Sequence, residues 1–94
     1  MNRINLIEFG QNLGTRELGI FISEYIDFSC PENIILDFEN VTVVTSSFAD
    51  ELIGKNVKEI GLEEFIKKVK IENATDNIKL VIKKAMMDRL LEVA

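Results

Sequence analysis

The chain has no histidine and no tryptophan, one cysteine and one proline. Without histidine, and with Cys30 alone, a zinc site built from imidazoles or several thiolates is excluded. A Ser-His-Asp or Cys-His nucleophile is excluded as well. A lone cysteine leaves no internal disulfide. No apolar run approaches the ~18 residues of a membrane span. The opening MNRINLIEFG lacks an apolar core followed by a small-residue cleavage site, so no signal peptide is expected. Cations are scarce too: eleven Lys and Arg stand against sixteen Asp and Glu, for a net charge of −5. Nucleic-acid binding needs a basic footprint, and none is present. Lys67, Lys68 and Lys70, then Lys83 and Lys84, are interleaved with apolar residues and read as solvated faces. Gly10 and Gly14 frame GQNLG, which lacks the lysine and the spacing of a phosphate-binding loop. The expectation is a cytoplasmic protein with no metal, no cofactor and no enzymatic activity.

What is present suits one small domain spanning residues 1–94. Apolar residues make up 47% and charged residues 29% of the chain. A chain of this length buries roughly 60–65% of its unfolded surface without needing staples.

The pattern reads as alternating strands and helices. Ile4 to Phe9 alternates weakly and predicts a first strand ended by Gly10. From Thr15, a good N-cap, Leu18, Phe21, Ile22, Tyr25 and Ile26 fall on one helical stripe, and Pro31 follows its end. Residues 33–38, NIILDF, carry three consecutive apolar residues, as in a strand covered on both faces. The next stretch, ENVTVVT, either extends that strand through a bend or forms a tip beside it. Phe48, Leu52, Ile53, Val57 and Ile60 then mark a second helix ending at Gly61. LEEFIKKV predicts a short helical turn, and KVKIEN a final strand. The last helix takes Asp76 as its cap and places Ile78, Val81, Ile82, Ala85, Met86 and Leu90 on one face. Helices between strands imply crossovers and a largely parallel sheet. The expected fold is a small α/β layer with a mixed, mostly parallel sheet and three to four helices.

At Thr45-Ser46-Ser47 the chain passes from a strand into a helix. A serine there caps the first free N–H groups, and Ser47 with Asp50 has the spacing of a capping box. Asp50 and Glu51 suit the positive end of the helix dipole. The same position offers a hydroxyl where a phosphate is well tolerated. Arg16 opens a helix, where the dipole disfavours a cation, so either a solvated side chain or a carboxylate or anion partner is expected. Asp37, in an otherwise apolar strand, needs hydrogen-bond donors and is expected near the strand end. Tyr25 and the phenylalanines read as core. Cys30 reads as an ordinary exposed or half-buried thiol, and Met86 and Met87 as adaptable packing.

The stretch IILDFENVTVVTSSFADELIG resembles the core of STAS domains, whose best-known members are anti-anti-sigma factors. Ile35, Leu36 and Asp37 match the strand motif, Val41 the continuation, and Ser46 and Ser47 the paired serines. A divergent STAS-like group in prokaryotes is closer still, with TSSFADEL, an upstream Thr15-Arg16 and a downstream Gly61-Leu62-Glu63-Glu64-Phe65, Ile71, Asn73 and Ala74. The resemblance covers nearly the whole chain.

It implies a non-enzymatic regulatory module that binds another protein and is switched by phosphorylation. The first serine of the pair, here Ser46, is the implied target, with Ser47 beside it. Thr45 stands where those members have Asp, and Phe48 where they have Gly. The implied docking residues are Thr45, Ser46, Ser47, Phe48, Asp50 and Glu51. The implied partner is a histidine-kinase-like ATPase or anti-sigma-like kinase on another polypeptide. Two other readings stand beside it. One is a small-anion or nucleotide sensor using the same helix start with Arg16. The other is a structural homodimer.

Overall fold

The computed structural model describes residues 2–26, 28 and 31–92. The expectation for Cys30 lies outside the described residues. Three parallel strands form the main sheet: β1 (Asn2–Asn5), β3 (Ile34–Asp37) and β5 (Val69–Glu72), with β3 in the centre. Asn5, Asp37 and Glu72 lie in register at its carboxyl end. β2 (Asn12–Leu13) and β4 (Val43–Val44) form a second, two-stranded parallel sheet. All four residues of β3 are buried, which is why IILD carries no polar–apolar alternation.

The helices are α1 (Arg16–Tyr25), α2 (Ser46–Ala49), α3 (Lys55–Ile60), α4 (Leu62–Lys68) and α5 (Asp76–Glu92). A π-helical turn, Asp50–Gly54, joins α2 to α3 without a break: Ala49, Asp50, Gly54 and Lys55 all keep right-handed helical backbone. The Lys55 N–H reaches back five residues to the Asp50 carbonyl. Residues 46–60 are thus one helix with a widened turn, here called the central helix. The α/β architecture and the parallel main sheet are as the sequence pattern predicts.

Several local expectations are corrected. The strand expected over Ile4 to Phe9 stops at Asn5, and Leu6–Phe9 form a 3-10 turn. That turn buries Leu6 completely and brings Phe9 against α1. The segment after β3 turns at Glu39 and Asn40, with Asn40 at φ 67°, and becomes the separate strand β4. The last helix is capped by Thr75, whose Oγ1 accepts from the Ile78 N–H at 3.2 Å; Asp76 is already helical.

The aromatic expectation also fails in part. Phe28, Phe38, Phe48 and Phe65 are buried, but Phe21 is 58% and Tyr25 67% exposed. The reason lies at Gly19. A Cβ there would stand 2.8 Å from the Glu51 Cβ and 3.0 Å from the Phe48 carbonyl oxygen. This close approach turns the Gly19–Ile22 side of α1 inward, and Phe21 and Tyr25 swing to the rim.

The central helix is held from two sides by glycine contacts. Gly19 of α1 meets it at Phe48 and Glu51, while its own Gly54 lies against Ala85 and Arg89 of α5. Phe48, Ala49, Leu52, Ile53 and Val57 fill the space between and are essentially fully buried.

Candidate functional site

The site is built where β4 runs into the central helix. Thr45 keeps extended backbone, φ −84° and ψ 162°, and caps the helix: its Oγ1 accepts from the Phe48 N–H at 3.3 Å. The same hydroxyl donates to the Gly14 carbonyl at 3.1 Å, tying the helix start to the turn before α1. Thr15 does the equivalent for α1, accepting from the Leu18 N–H at 3.1 Å.

The capping box expected from Ser47 and Asp50 is therefore not formed. Ser46 is the first helical residue and exposed; Ser47 is the second and half-buried. Among the described residues, neither serine hydroxyl has a hydrogen-bond partner. Phe48 is fully buried, so its ring neither obstructs the serines nor offers itself to a partner. It leaves the set of surface contacts and becomes the core residue under them.

Asp50 and Glu51 lie one turn further on and are both paired. Asp50 receives a fork from Arg89, Nε to Oδ1 at 2.6 Å and the second guanidinium nitrogen to Oδ2 at 2.7 Å. Arg16 spans both acids, at 3.2 Å from Asp50 and 2.5 Å from Glu51. Lys55 closes on Glu51 at 2.7 Å. Glu51 is buried, while Asp50 is half-buried. Arg16 is thus neither simply solvated nor free for an anion. Its carboxylate partners lie on the central helix, and both of its guanidinium contacts neutralise them.

Arg89, ahead of Arg16, holds the Asp50 carboxyl below its ordinary range against the upward push of burial. For Glu51 burial pushes up most, yet the hydrogen bonds from Lys55 and Arg16 together bring it below its ordinary value. Both acids therefore favour folding fully above their unfolded values, about 3.9 for Asp and 4.3 for Glu. That contribution is lost as pH falls through the lower folded values. We expect the melting temperature to fall on acidification from about pH 5 downward, and Asp50→Asn to flatten that fall without removing it. Circular-dichroism melts across the acid range check this. An unchanged acid limb in Asp50→Asn sinks the assignment.

A second polar cluster sits at the carboxyl end of the main sheet, where α/β folds commonly place ligands. Asp37 accepts from the Asn73 side chain at 3.0 Å, the Glu39 N–H at 2.9 Å and Arg3 at 2.6 Å. Arg3 also reaches Glu72 at 3.0 Å. The Asn73 and Glu39 donors lead in holding the Asp37 carboxyl below its ordinary value. Every oxygen contact is internal and consistent with a lock on the β3 and β5 ends. Asn73 itself adopts φ 57°, a left-handed position asparagine tolerates.

Residues 24–79, well over half of the chain, match the family model described as "STAS-like domain of unknown function (DUF4325)". The chain belongs to this family. No curated protein and no solved structure matches it. The matched range of this STAS-like domain contains the serine turn, Asp50, Glu51 and Asp37, while Arg16, Gly19 and Arg89 lie outside it.

Sequence pattern did not single out Lys55, Gly19, Gly54 or Arg89. Lys55 follows Glu51 at the i,i+4 spacing of a helical ion pair, which is a usable signal. The two glycines inside helical stretches are another, since glycine there costs about 1 kcal/mol relative to alanine and implies a close contact. Arg89 gives no local sign. Among the described residues, no helix is long and apolar enough to cross a membrane.

Proposed function

We propose that this STAS-like domain is a non-enzymatic, cytoplasmic regulatory module that docks a partner protein through the surface around Ser46, Ser47 and Asp50. Phosphorylation of Ser46, or of Ser47 beside it, controls the docking. The observation that carries this reading is the exposed Ser46 hydroxyl, left unused because Thr45 already caps the helix.

Charge makes it a switch. Arg16, Lys55 and Arg89 surround Asp50 and Glu51, so the carboxylates of the unmodified patch are already balanced by cations. A phosphate adds about −1.5 to −2 to that balance and turns the patch negative. Ser46 precedes Asp50 and Ser47 precedes Glu51 by four residues, so either phosphate shares a helical face with the acid that Arg16 holds. The fold survives, because the cap, Phe48 and the glycine contacts do not involve the serine hydroxyls. A partner with an acidic docking surface, such as a histidine-kinase-like ATPase or anti-sigma-like kinase, would bind the unmodified form and release the modified one.

The test begins with intact mass and fragmentation of protein from its own cells, to place a phosphate. Binding to the partner captured from those cells is then compared for Ser46→Ala and Ser46→Asp. We expect Ser46→Asp to weaken binding at least ~10-fold, about 1.4 kcal/mol, and Ser46→Ala to change it little. The melting temperature of Ser46→Asp should hold or rise slightly, since an acid in the first helical turn is favourable by about 0.3–1 kcal/mol. Equal binding by both variants would sink the switch.

A further inference from the structure

The outward side of α1 bears an aromatic surface that the serine turn does not explain. Phe21 and Tyr25 stand one helical turn apart and are more exposed than buried. Each ring meets Phe9 edge-on, with centroids 6.3 and 6.2 Å away. Phe9 itself is half-buried and packed against the core, and the three rings form one contiguous surface over it. Glu17 lies four residues before Phe21 and Glu24 three after it, which places both acids beside the rings. Both are exposed, and among the described residues neither has an ion-pair partner. The only cation in Arg16–Tyr25 is Arg16, which is committed to Asp50 and Glu51.

Aromatic rings bordered by unpaired carboxylates fit one kind of occupant. We propose that the Phe9–Phe21–Tyr25 platform, with Glu17 and Glu24, docks a basic amphipathic segment of a partner protein. Its apolar side chains cover the rings and its Lys or Arg side chains meet the two acids. The charge pattern argues against the alternatives. A second copy packed face to face would set Glu17 and Glu24 against their own counterparts, on a chain already at −5. An anionic membrane surface would be repelled by the same carboxylates. Aromatic residues in a polar rim are the usual makeup of strong interface positions.

The proposal is tested on the full chain with a fluorescein-labelled amphipathic peptide of leucine and lysine, and with its counterpart carrying glutamate for lysine. Affinity is read by anisotropy, location by amide chemical shifts, and self-association by sedimentation. The lysine peptide should bind, with shifts centred on Phe9, Phe21 and Tyr25, and binding should weaken with salt. Phe21→Ser with Tyr25→Ser should weaken it at least ~10-fold. Should that pair of changes disturb folding, Glu17→Lys with Glu24→Lys alters only exposed carboxylates and should likewise weaken binding. Equal binding of the glutamate peptide, shifts centred elsewhere, no effect of the Glu17 and Glu24 changes, or a dimer that Phe21→Ser dissolves would each overturn the proposal.

Discussion

Gly54→Val is expected to leave little of the chain folded in mild urea that the parent withstands. A Cβ at Gly54 would stand 2.8 Å from the Asp50 Oδ1, 2.9 Å from the Ala85 carbonyl oxygen and 3.0 Å from the Arg89 Cγ. None of these can give easily. The Asp50 oxygen is held by the Arg89 fork, and the Ala85 oxygen is backbone of α5. To admit a branched side chain, α5 must move away, and the Asp50–Arg89 pair and the burial of Ile78, Ile82 and Ala85 go with it. Overpacking alone costs about 1–3 kcal/mol, and losing a largely buried charge pair adds to that. A domain of this size has only roughly 5–14 kcal/mol in total. Gly54→Ala should cost less, since alanine regains about 1 kcal/mol of helix propensity. Far-UV circular dichroism in urea suits the measurement, because the chain lacks tryptophan. A Gly54→Val midpoint equal to the parent's would show that α5 does not press on the widened turn.

Phe48→Ala is expected to lower stability by about 3–5 kcal/mol. That corresponds to a fall in melting temperature of more than about 10 °C for a domain of this length. The ring is fully buried in the core, and its carbonyl and Cα lie against Gly19, so the site has little freedom to collapse around a cavity. The contrast with Ser46, two residues earlier, is diagnostic. Ser46→Ala should leave the melting temperature nearly unchanged, because the exposed hydroxyl has no partner among the described residues. A melting temperature in Phe48→Ala close to the parent's would mean the ring is not packed as described, and would return it to the list of surface contacts.

The parts of this architecture that local pattern encodes were legible, and those that depend on a neighbour were not. α5 is readable because Ile78, Ile82 and Ala85 keep a helical period, and β3 because three apolar residues in a row need cover on both sides. The Thr15 cap follows from residue type alone. At Thr45-Ser46-Ser47, by contrast, three adjacent hydroxyls all suit a cap, and the choice falls to where the extended backbone of β4 ends. The widened turn is silent, since Phe48, Leu52, Ile53 and Val57 fit an ordinary helix equally well. The stripe Leu18, Phe21, Ile22, Tyr25 and Ile26 is wider than the face α1 can bury. Which edge stays outside is decided by Gly19 meeting the central helix. Of the candidate site, the serines, Asp50 and Glu51 were visible as residue types. Their pairing with Arg16, Lys55 and Arg89 is a product of tertiary packing.

The register of the main sheet has a consequence for how the chain reaches this state. Asn2 pairs with Ile34, and Ile34 with Val69, so every bond in that sheet joins residues more than thirty positions apart. No strand can therefore find its partner through a hairpin. Long loops must close first, at an entropic cost that local contacts do not offset, and such topologies fold slowly. As the chain leaves the ribosome, β3 emerges as a bare apolar strand with one edge open until β5 follows. In that interval the most buried strand of the finished domain is the one most exposed to pairing with a neighbouring chain.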